Sequence, residues 1–260
     1  MAELVRARSL TDVWLRGMEA LLQAPRTEVY DLLVEASAPS EISEGVIVVA
    51  DDYFRRNGLQ STSTVANTIF PSNLAARSTD RTSFYDRYRR MVPRLKRLSP
   101  LNRRGIYFER LISYPLQPDP TRSNQLELVI DDLNRRSATA ARRHIYEMQV
   151  FAPGKDRWPM GFPCMSSLSL HLEEGALRLA ATYRNQFWIE RGLGNLLGLS
   201  HLQHYVAEQA GLSVGALSVH AFHAELDRSQ SDARALLDRA RLHGLPDVGR
   251  DEGDTDGAAA

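Results

Sequence analysis

The stretch Pro163–Asn195, PCMSSLSLHLEEGALRLAATYRNQFWIERGLGN, decides how the rest of the chain is read. Leucines alternate with polar residues from Ser167 to Leu172, and alternation resumes from Leu177 to Tyr183. Glu174-Gly175 between them reads as a tight turn, so the segment is a β-hairpin. Its leading end carries Cys164, the only cysteine in 260 residues, within Gly161-Phe162-Pro163-Cys164-Met165. A lone thiol closes no intramolecular disulfide and is either a small buried hydrophobe or a nucleophile. The polar line behind the hairpin, Arg184, Asn185 and then Asn195, favours the nucleophile.

Working outward, Leu196–Ala210 is a long apolar helix ending near Gly211, and Leu217–Leu226 follows as a strand. Upstream, Ile145–Phe151 alternates as a strand. Gln125–Arg135 places Leu126, Leu128, Val129, Ile130 and Leu133 at helical spacing, and Phe84–Leu98 is a basic helix interrupted by Pro93. Pro71, Ser72 and Asn73 mark a loop. From Ser9 to about Leu33 the apolar residues Leu10, Val13, Trp14, Met18, Leu21 and Leu22 predict one amphipathic helix capped by Ser9 or Thr11. The β-branched run Gly45–Ala50, bounded by Asp51-Asp52, predicts a buried strand. Helices and strands mix without regular βαβ alternation, so the class is α+β. We expect a single domain over residues 1–248 and a disordered tail, acidic and small-residue, over 249–260.

Thirty-two basic and 32 acidic residues cancel, so no global field draws the chain to nucleic acid or an acidic membrane surface. The aromatic-basic run Tyr85–Arg90 therefore reads as a solvated helix rather than a nucleic-acid contact. No apolar run has the length of a membrane span, and Met1–Arg6 lacks the apolar core of a signal peptide; the expected location is the cytoplasm. Two arginine pairs, Arg135-Arg136 and Arg142-Arg143, read either as an anion site or as a solvated basic helix end. Trp158 and Trp188 read as packing or pocket-wall residues.

From Pro163-Cys164 onward, these residues fall on a familiar spacing. Gly175 in the hairpin, Tyr183-Arg184-Asn185, Gly194-Asn195 and Gly215, with Asn124-Gln125 and Ala141-Arg142-Arg143 upstream, together make the region from Gly105 to Asp227 resemble thymidylate synthase and the pyrimidine nucleotide hydroxymethylases. The resemblance implies a mixed sheet flanked by helices and a homodimer formed through the sheet face. It also implies a pyrimidine nucleoside monophosphate as substrate, with Arg142 and Arg143 reaching the partner's phosphate, and 5,10-methylenetetrahydrofolate as the one-carbon donor.

The chemistry joins the residue types. A thiolate at Cys164 attacks C6 of the pyrimidine, and an adjacent arginine lowers a thiol's pKa, so Arg184 is expected both to clamp phosphate and to support the thiolate. Negative charge then develops on C5 and O4, and Asn195 donates to O4 while accepting from N3–H, a pattern suited to uracil. Asn195 also reads as an N-cap for the helix that follows. Tyr107, by analogy, helps move the C5 proton. Asn185 joins the substrate contacts.

Several positions depart from the family pattern. The folate-contacting aspartate falls on Phe187, the histidine beside the nucleophile on Met165, and the sugar-binding histidine and tyrosine on Glu225 and Asp227. The phosphate loop corresponds to Leu59–Thr64, with Gln60 in place of its arginine, and no glutamate lies between Ser72 and Leu101. The chain beyond Asp227 is expected to lack the family's closing strand and folate-capping tail. Glu225 and Asp227 are expected to accept from sugar hydroxyls; a metal cluster with His220 and His223 has poor geometry, and none is expected. Methylation requires the donor sealed from water through a hydride step, so hydroxymethylation is favoured. The alternative is a nucleotide-binding or partner-binding protein that kept the fold without the chemistry.

Overall fold

The computed structural model describes residues 2–119, 122–136, 144–156 and 163–244. The strands are β1 Glu3–Ala7, β2 Glu28–Ala36, β3 Tyr146–Gln149, β4 Met165–Glu173, β5 Ala176–Tyr183, β6 Gln186–Phe187 and β7 Ser213–Glu225. The helices are α1 Leu10–Gln23, α2 Glu44–Arg56, α3 Thr62–Ile69, α4 Ser72–Ala76, α5 Arg81–Leu98, α6 Tyr107–Ile112, α7 Gln125–Arg135, α8 Leu193–Gln209 and α9 Gln230–Arg241. The strands form one open mixed sheet in the order β1-β2-β7-β5-β4-β3, with β6 continuing beside β7 past the end of β5. The class is α+β.

The predicted hairpin is β4–β5. Glu174 and Gly175 both take positive φ (50° and 84°), which closes the turn and sets Leu172 opposite Leu177 and Ser169 opposite Ala180. That register puts Leu168, Leu170, Leu172, Leu177 and Leu179 on one face, all buried, each side chain contributing about 1.5–3 kcal/mol of burial. The other face carries Glu147, Ser167, Ser169, Ala180, Thr182 and Ser218, none of them buried. The sheet is thus apolar and packed on one side; on its open side small and polar residues stand beside Leu33, Phe222 and Arg178.

Helix α8 lies on the packed side and is buried on nearly every face, from Leu193 through Ala207. Two glycines let α3 approach it. A Cβ at Gly194 would lie 2.5 Å from the Val65 side chain, and one at Gly198 2.7 Å from the Ala66 carbonyl. Buried Gln203 donates from Nε2 to the carbonyls of Leu177 (2.8 Å) and Gly215 (3.0 Å), stitching β5 to β7 where their register slips.

Four expectations are corrected. Ser72 and Asn73, read as loop, open α4, and α5 runs through Pro93 without a break. The helix predicted from Ser9 to Leu33 stops at Gln23: Ser9 caps it, accepting from Asp12 N at 3.1 Å, but Pro25 follows, Arg26 and Thr27 take positive φ, and Glu28–Ala36 becomes β2. The run Gly45–Ala50 is helical, within α2. Ser43 caps that helix, and Val46, Val49, Ala50 and Phe54 bury one stripe while Val48 stands 65% exposed. Strand β1 was not anticipated. The tail from residue 249 lies outside the described residues.

Candidate active site

Where β5 gives way to β6, the chain turns Arg184 and Asn185 toward a cavity of about 830 Å³, near the upper end of the usual range for small-molecule sites. Its walls come from the loop before β4, the start of α6, helix α3 from Thr64 to Thr68, helix α5 with the loop that follows it, and the turn that leads into α8. Cys164, Tyr107, Arg184, Asn185 and Asn195 all line it. Residues separated by as many as 88 positions in sequence therefore face one space.

Cys164 is half-buried, and its carbonyl accepts from Arg184 N at 2.9 Å, which ties the thiol's loop to the arginine's. Burial pushes the thiol pKa up; the guanidiniums of Arg184 and Arg191 pull it down but do not overcome the burial. The expected support by Arg184 is present, and the resting group is nonetheless a thiol rather than a thiolate. Tyr107 opens α6 with its ring 6.5 Å from that of Tyr183, edge on. Burial holds its phenol well above the ordinary range, with the charge on Cys164 acting the same way and backbone hydrogen bonds at Met165 and Cys164 opposing.

Asn195 is buried inside α8, which begins at Leu193, so it is not the helix N-cap. Its Nδ2 donates to Gln186 Oε1 at 3.2 Å, and both amides line the cavity. Asn185 Oδ1 lies 2.5 Å from His223 Nδ1, whose Nε2 is 3.3 Å from Glu28 Oε2, an arrangement that orients the Asn185 amide from behind.

Glu225 and Asp227 do not line the cavity. Glu225 pairs in register with Phe187 across β6–β7. The Asp227 carboxylate accepts from Ile189 N (3.0 Å) and Glu190 N (3.2 Å), so its acceptor capacity serves the backbone rather than a sugar. Burial raises its pKa ahead of the hydrogen bonds that lower it. Arg142, Arg143 and Trp158 lie outside the described residues.

What Asp227 holds is a π-helical turn, Trp188–Gly192, running straight into α8. The turn is clamped from behind by Trp14. Trp14 Nε1 donates to the Trp188 carbonyl (3.1 Å) and Trp188 Nε1 donates to the Trp14 carbonyl (2.9 Å), both rings fully buried. Gly17 leaves room for this pair: a Cβ there would lie 2.2 Å from Trp188 Cζ2. π-turns concentrate at functional sites, and this one turns Glu190 and Arg191 into the cavity.

Those two residues were not singled out from the sequence, where Glu190-Arg191 looks like any surface ion pair. Arg191 Nη1 donates to Gln60 Oε1 at 2.6 Å, and Arg191 Nη2 sits 2.9 Å from Glu190 Oε1. Gln60 and Thr64, from the segment matched to a phosphate loop, do line the cavity. So does Tyr88, whose fully buried hydroxyl has no hydrogen-bond partner in the described structure.

No helix among the described residues is long and apolar enough to cross a membrane. The chain matches no protein-family model, and no curated protein matches it.

Proposed function

We propose that this chain is a thymidylate-synthase-like, one-carbon-transferring enzyme that alkylates C5 of a pyrimidine nucleoside monophosphate, with hydroxymethylation favoured, and that it works as a homodimer through the open sheet face. One observation carries the reading: Cys164, Tyr107, Arg184, Asn185 and Asn195 line a single cavity.

In this reading the Cys164 thiolate, the minor form at neutral pH, adds to C6 and charge passes to C5 and O4. Asn195 keeps one N–H on Gln186 and offers the other to O4, while its Oδ1 accepts from N3–H. C5 bonds to the one-carbon unit and loses its hydrogen as a proton; the amine that carried the unit would leave with the bonding electrons, water adds to the methylene carbon so exposed, and expulsion of the sulfur restores the C5–C6 double bond. Tyr107, neutral and beside the sulfur, exchanges that proton with water. Arg184 and Asn185 hold the phosphate end.

Val65, Leu95 and Pro100 give the cavity apolar lining against which a second flat ligand can pack beside a nucleotide. Methylenetetrahydrofolate would supply the one-carbon unit there at the formaldehyde oxidation level. Glu190 is the one carboxylate among the described lining residues, and it is engaged by Arg191 and Arg228. With Phe187 at the family's aspartate position, a pterin would lack that carboxylate contact, which favours addition of water over transfer of hydride to the one-carbon unit.

The test is mass spectrometry of UMP, dUMP, CMP and dCMP incubated with the protein, formaldehyde and tetrahydrofolate. Gain of a hydroxymethyl group on one of them is expected, and no gain on any counts against the reading. The raised thiol pKa favours a second reading, a nucleotide-binding protein without turnover. Exchange of the C5 hydrogen with deuterated solvent separates the two, because it needs Cys164 and no donor; exchange that Cys164→Ala abolishes excludes the binding-only reading.

A further inference from the structure

We propose that Arg191 is an anion-binding residue of the cavity and, together with Arg184, takes the phosphate of the substrate. This rests on the pyrimidine nucleotide reading for the identity of the ligand but not for the existence of the anion site.

Among the described lining residues, three guanidiniums, Arg104, Arg184 and Arg191, stand with the one carboxylate of Glu190. The excess of positive charge favours an anionic ligand. Arg191 is held in place before any ligand arrives. The π-turn fixes its backbone, and the turn is in turn fixed by Asp227 and the paired tryptophans. Its side chain is steadied by Gln60 from the loop before α3.

Neither side-chain partner of Arg191 bars it from a phosphate. Gln60 is neutral, so its contact leaves the guanidinium charge uncompensated. Glu190 lies between two guanidiniums, 2.9 Å from Arg191 Nη2 and 3.5 Å from Arg228 Nη2. When a phosphate engages Arg191, Glu190 keeps Arg228, and no carboxylate is left unpaired. The side chain of Arg191 is about one-quarter exposed, enough for a ligand to reach and enough burial for the contact to be strong.

The position of Gln60 fits the same scheme. It stands where the resemblance placed a phosphate-binding arginine, and in the fold it binds Arg191 instead. The guanidinium at this end of the cavity comes from the turn before α8, and the loop before α3 supplies an amide that aims it. The field of Arg191 also reaches Cys164, so an anion bound there changes the reactivity of the sulfur and gives a direct reporter.

Two measurements test the assignment on the intact chain. In calorimetry, Arg191→Gln is expected to weaken UMP binding about 10–100-fold while uridine binding changes less than about twofold. Arg191→Lys recovers part of the loss, because an ammonium restores charge but not the planar fork. Gln60→Ala, which leaves the charge and frees the side chain, weakens UMP several-fold and serves if Arg191→Gln does not fold. Unchanged UMP affinity in folded Arg191→Gln overturns the proposal.

The second measurement needs no nucleotide. Alkylation of Cys164 by iodoacetamide is expected to slow with added inorganic phosphate in the wild type and to become about tenfold less sensitive to phosphate in Arg191→Gln. Equal sensitivity in both proteins overturns the anion site. Phosphate protection that depends on Arg191, with no binding of any pyrimidine monophosphate, upholds the anion site and removes the pyrimidine nucleotide reading instead.

Discussion

Arg110 and Asp156 meet in a two-pronged ion pair, Nη1 to Oδ2 at 2.9 Å and Nη2 to Oδ1 at 2.8 Å, with both side chains 2% exposed. The pair does more than satisfy itself. Arg110 Nη2 also donates to the Arg104 carbonyl (2.7 Å) and Nη1 to the Val150 carbonyl (3.2 Å), while Asp156 accepts from Ala152 N (2.8 Å). One buried guanidinium thereby joins the loop that ends at Tyr107 to the loop that leads toward Cys164. Removing one partner strands a buried charge, so Asp156→Ala is expected to cost about 3–5 kcal/mol in urea unfolding. The double substitution Arg110→Met with Asp156→Leu is expected to recover most of that stability but not nucleotide binding; full recovery of both would show that the pair positions nothing.

Gly17→Ala places a methyl group inside the Trp188 ring, which must shift and take the π-turn with it. A loss of about 1–3 kcal/mol is expected from overpacking alone, together with a change in tryptophan fluorescence and weaker UMP binding. Normal stability and binding would mean that the tryptophan clamp is not rigid.

Asn195→Asp converts a donor to O4 into an acceptor facing the same edge of the base. Gln186 can reverse its amide to donate to the new carboxylate, so the fold is expected to hold. The ratio of CMP to UMP affinity is expected to rise by about tenfold or more, measured by competition binding. An unchanged ratio would place the base elsewhere in the cavity.

The pH dependence of Cys164 alkylation follows from burial. Its pKa lies above that of an ordinary thiol, so the rate is expected to reach half its maximum at a higher pH than for an exposed cysteine, and Arg184→Gln moves that point higher still. The stability contributed by the neutral thiol is present below the pKa of the unfolded group and lost as pH rises through the folded value. Tyr107 and Tyr183, raised in the same direction by burial, add to alkaline destabilisation. Urea midpoints that do not fall between pH 8 and pH 11 would contradict this assignment.

Ala180 sits in register between Ser169 of β4 and Ser218 of β7 on the open face. If that face pairs two copies, Ala180→Glu sets like charges against each other near the interface and yields a monomer in sedimentation velocity. A wild type that sediments as a monomer at all concentrations would remove the dimer from the proposal.

The hairpin β4–β5 and helices α7 and α8 were legible because pattern and propensity agree there: alternating leucines, a Glu-Gly turn, and apolar residues at helical spacing (Leu126, Val129, Ile130 and Leu133; Leu196, Leu199, Leu202 and Val206). The segment Gly45–Ala50 was not, because Val46, Ile47, Val48 and Val49 have strand propensity, and only the wider spacing to Phe54, with Ser43 as cap, shows the helical stripe. In β2 the positive φ of Asp31 kinks the strand and breaks its alternation. At the site, the residues found from sequence were those with distinctive chemistry at fixed spacing. Glu190 and Arg191 escaped because their importance comes from which way a turn points them, and a π-turn leaves no simple period in the sequence; Gln60 was marked only as a departure from the family's arginine, with no sign that it would bind Arg191. Glu225 and Asp227 were assigned to the sugar by the resemblance alone; in the fold neither lines the cavity, because β7 ends at Glu225 and the Asp227 carboxylate turns to the amides of Ile189 and Glu190.

The π-turn has a consequence for how this protein can change. Each residue in a helix advances its neighbours by about 100°, so one residue lost or gained between Trp188 and Gly192 would swing Asn195 away from Cys164 and Arg191 away from Gln60 together. Alignment of the pocket thus depends on the number of residues in the turn as well as on Trp188, Glu190 and Arg191 themselves. Such a segment tolerates almost no change of length.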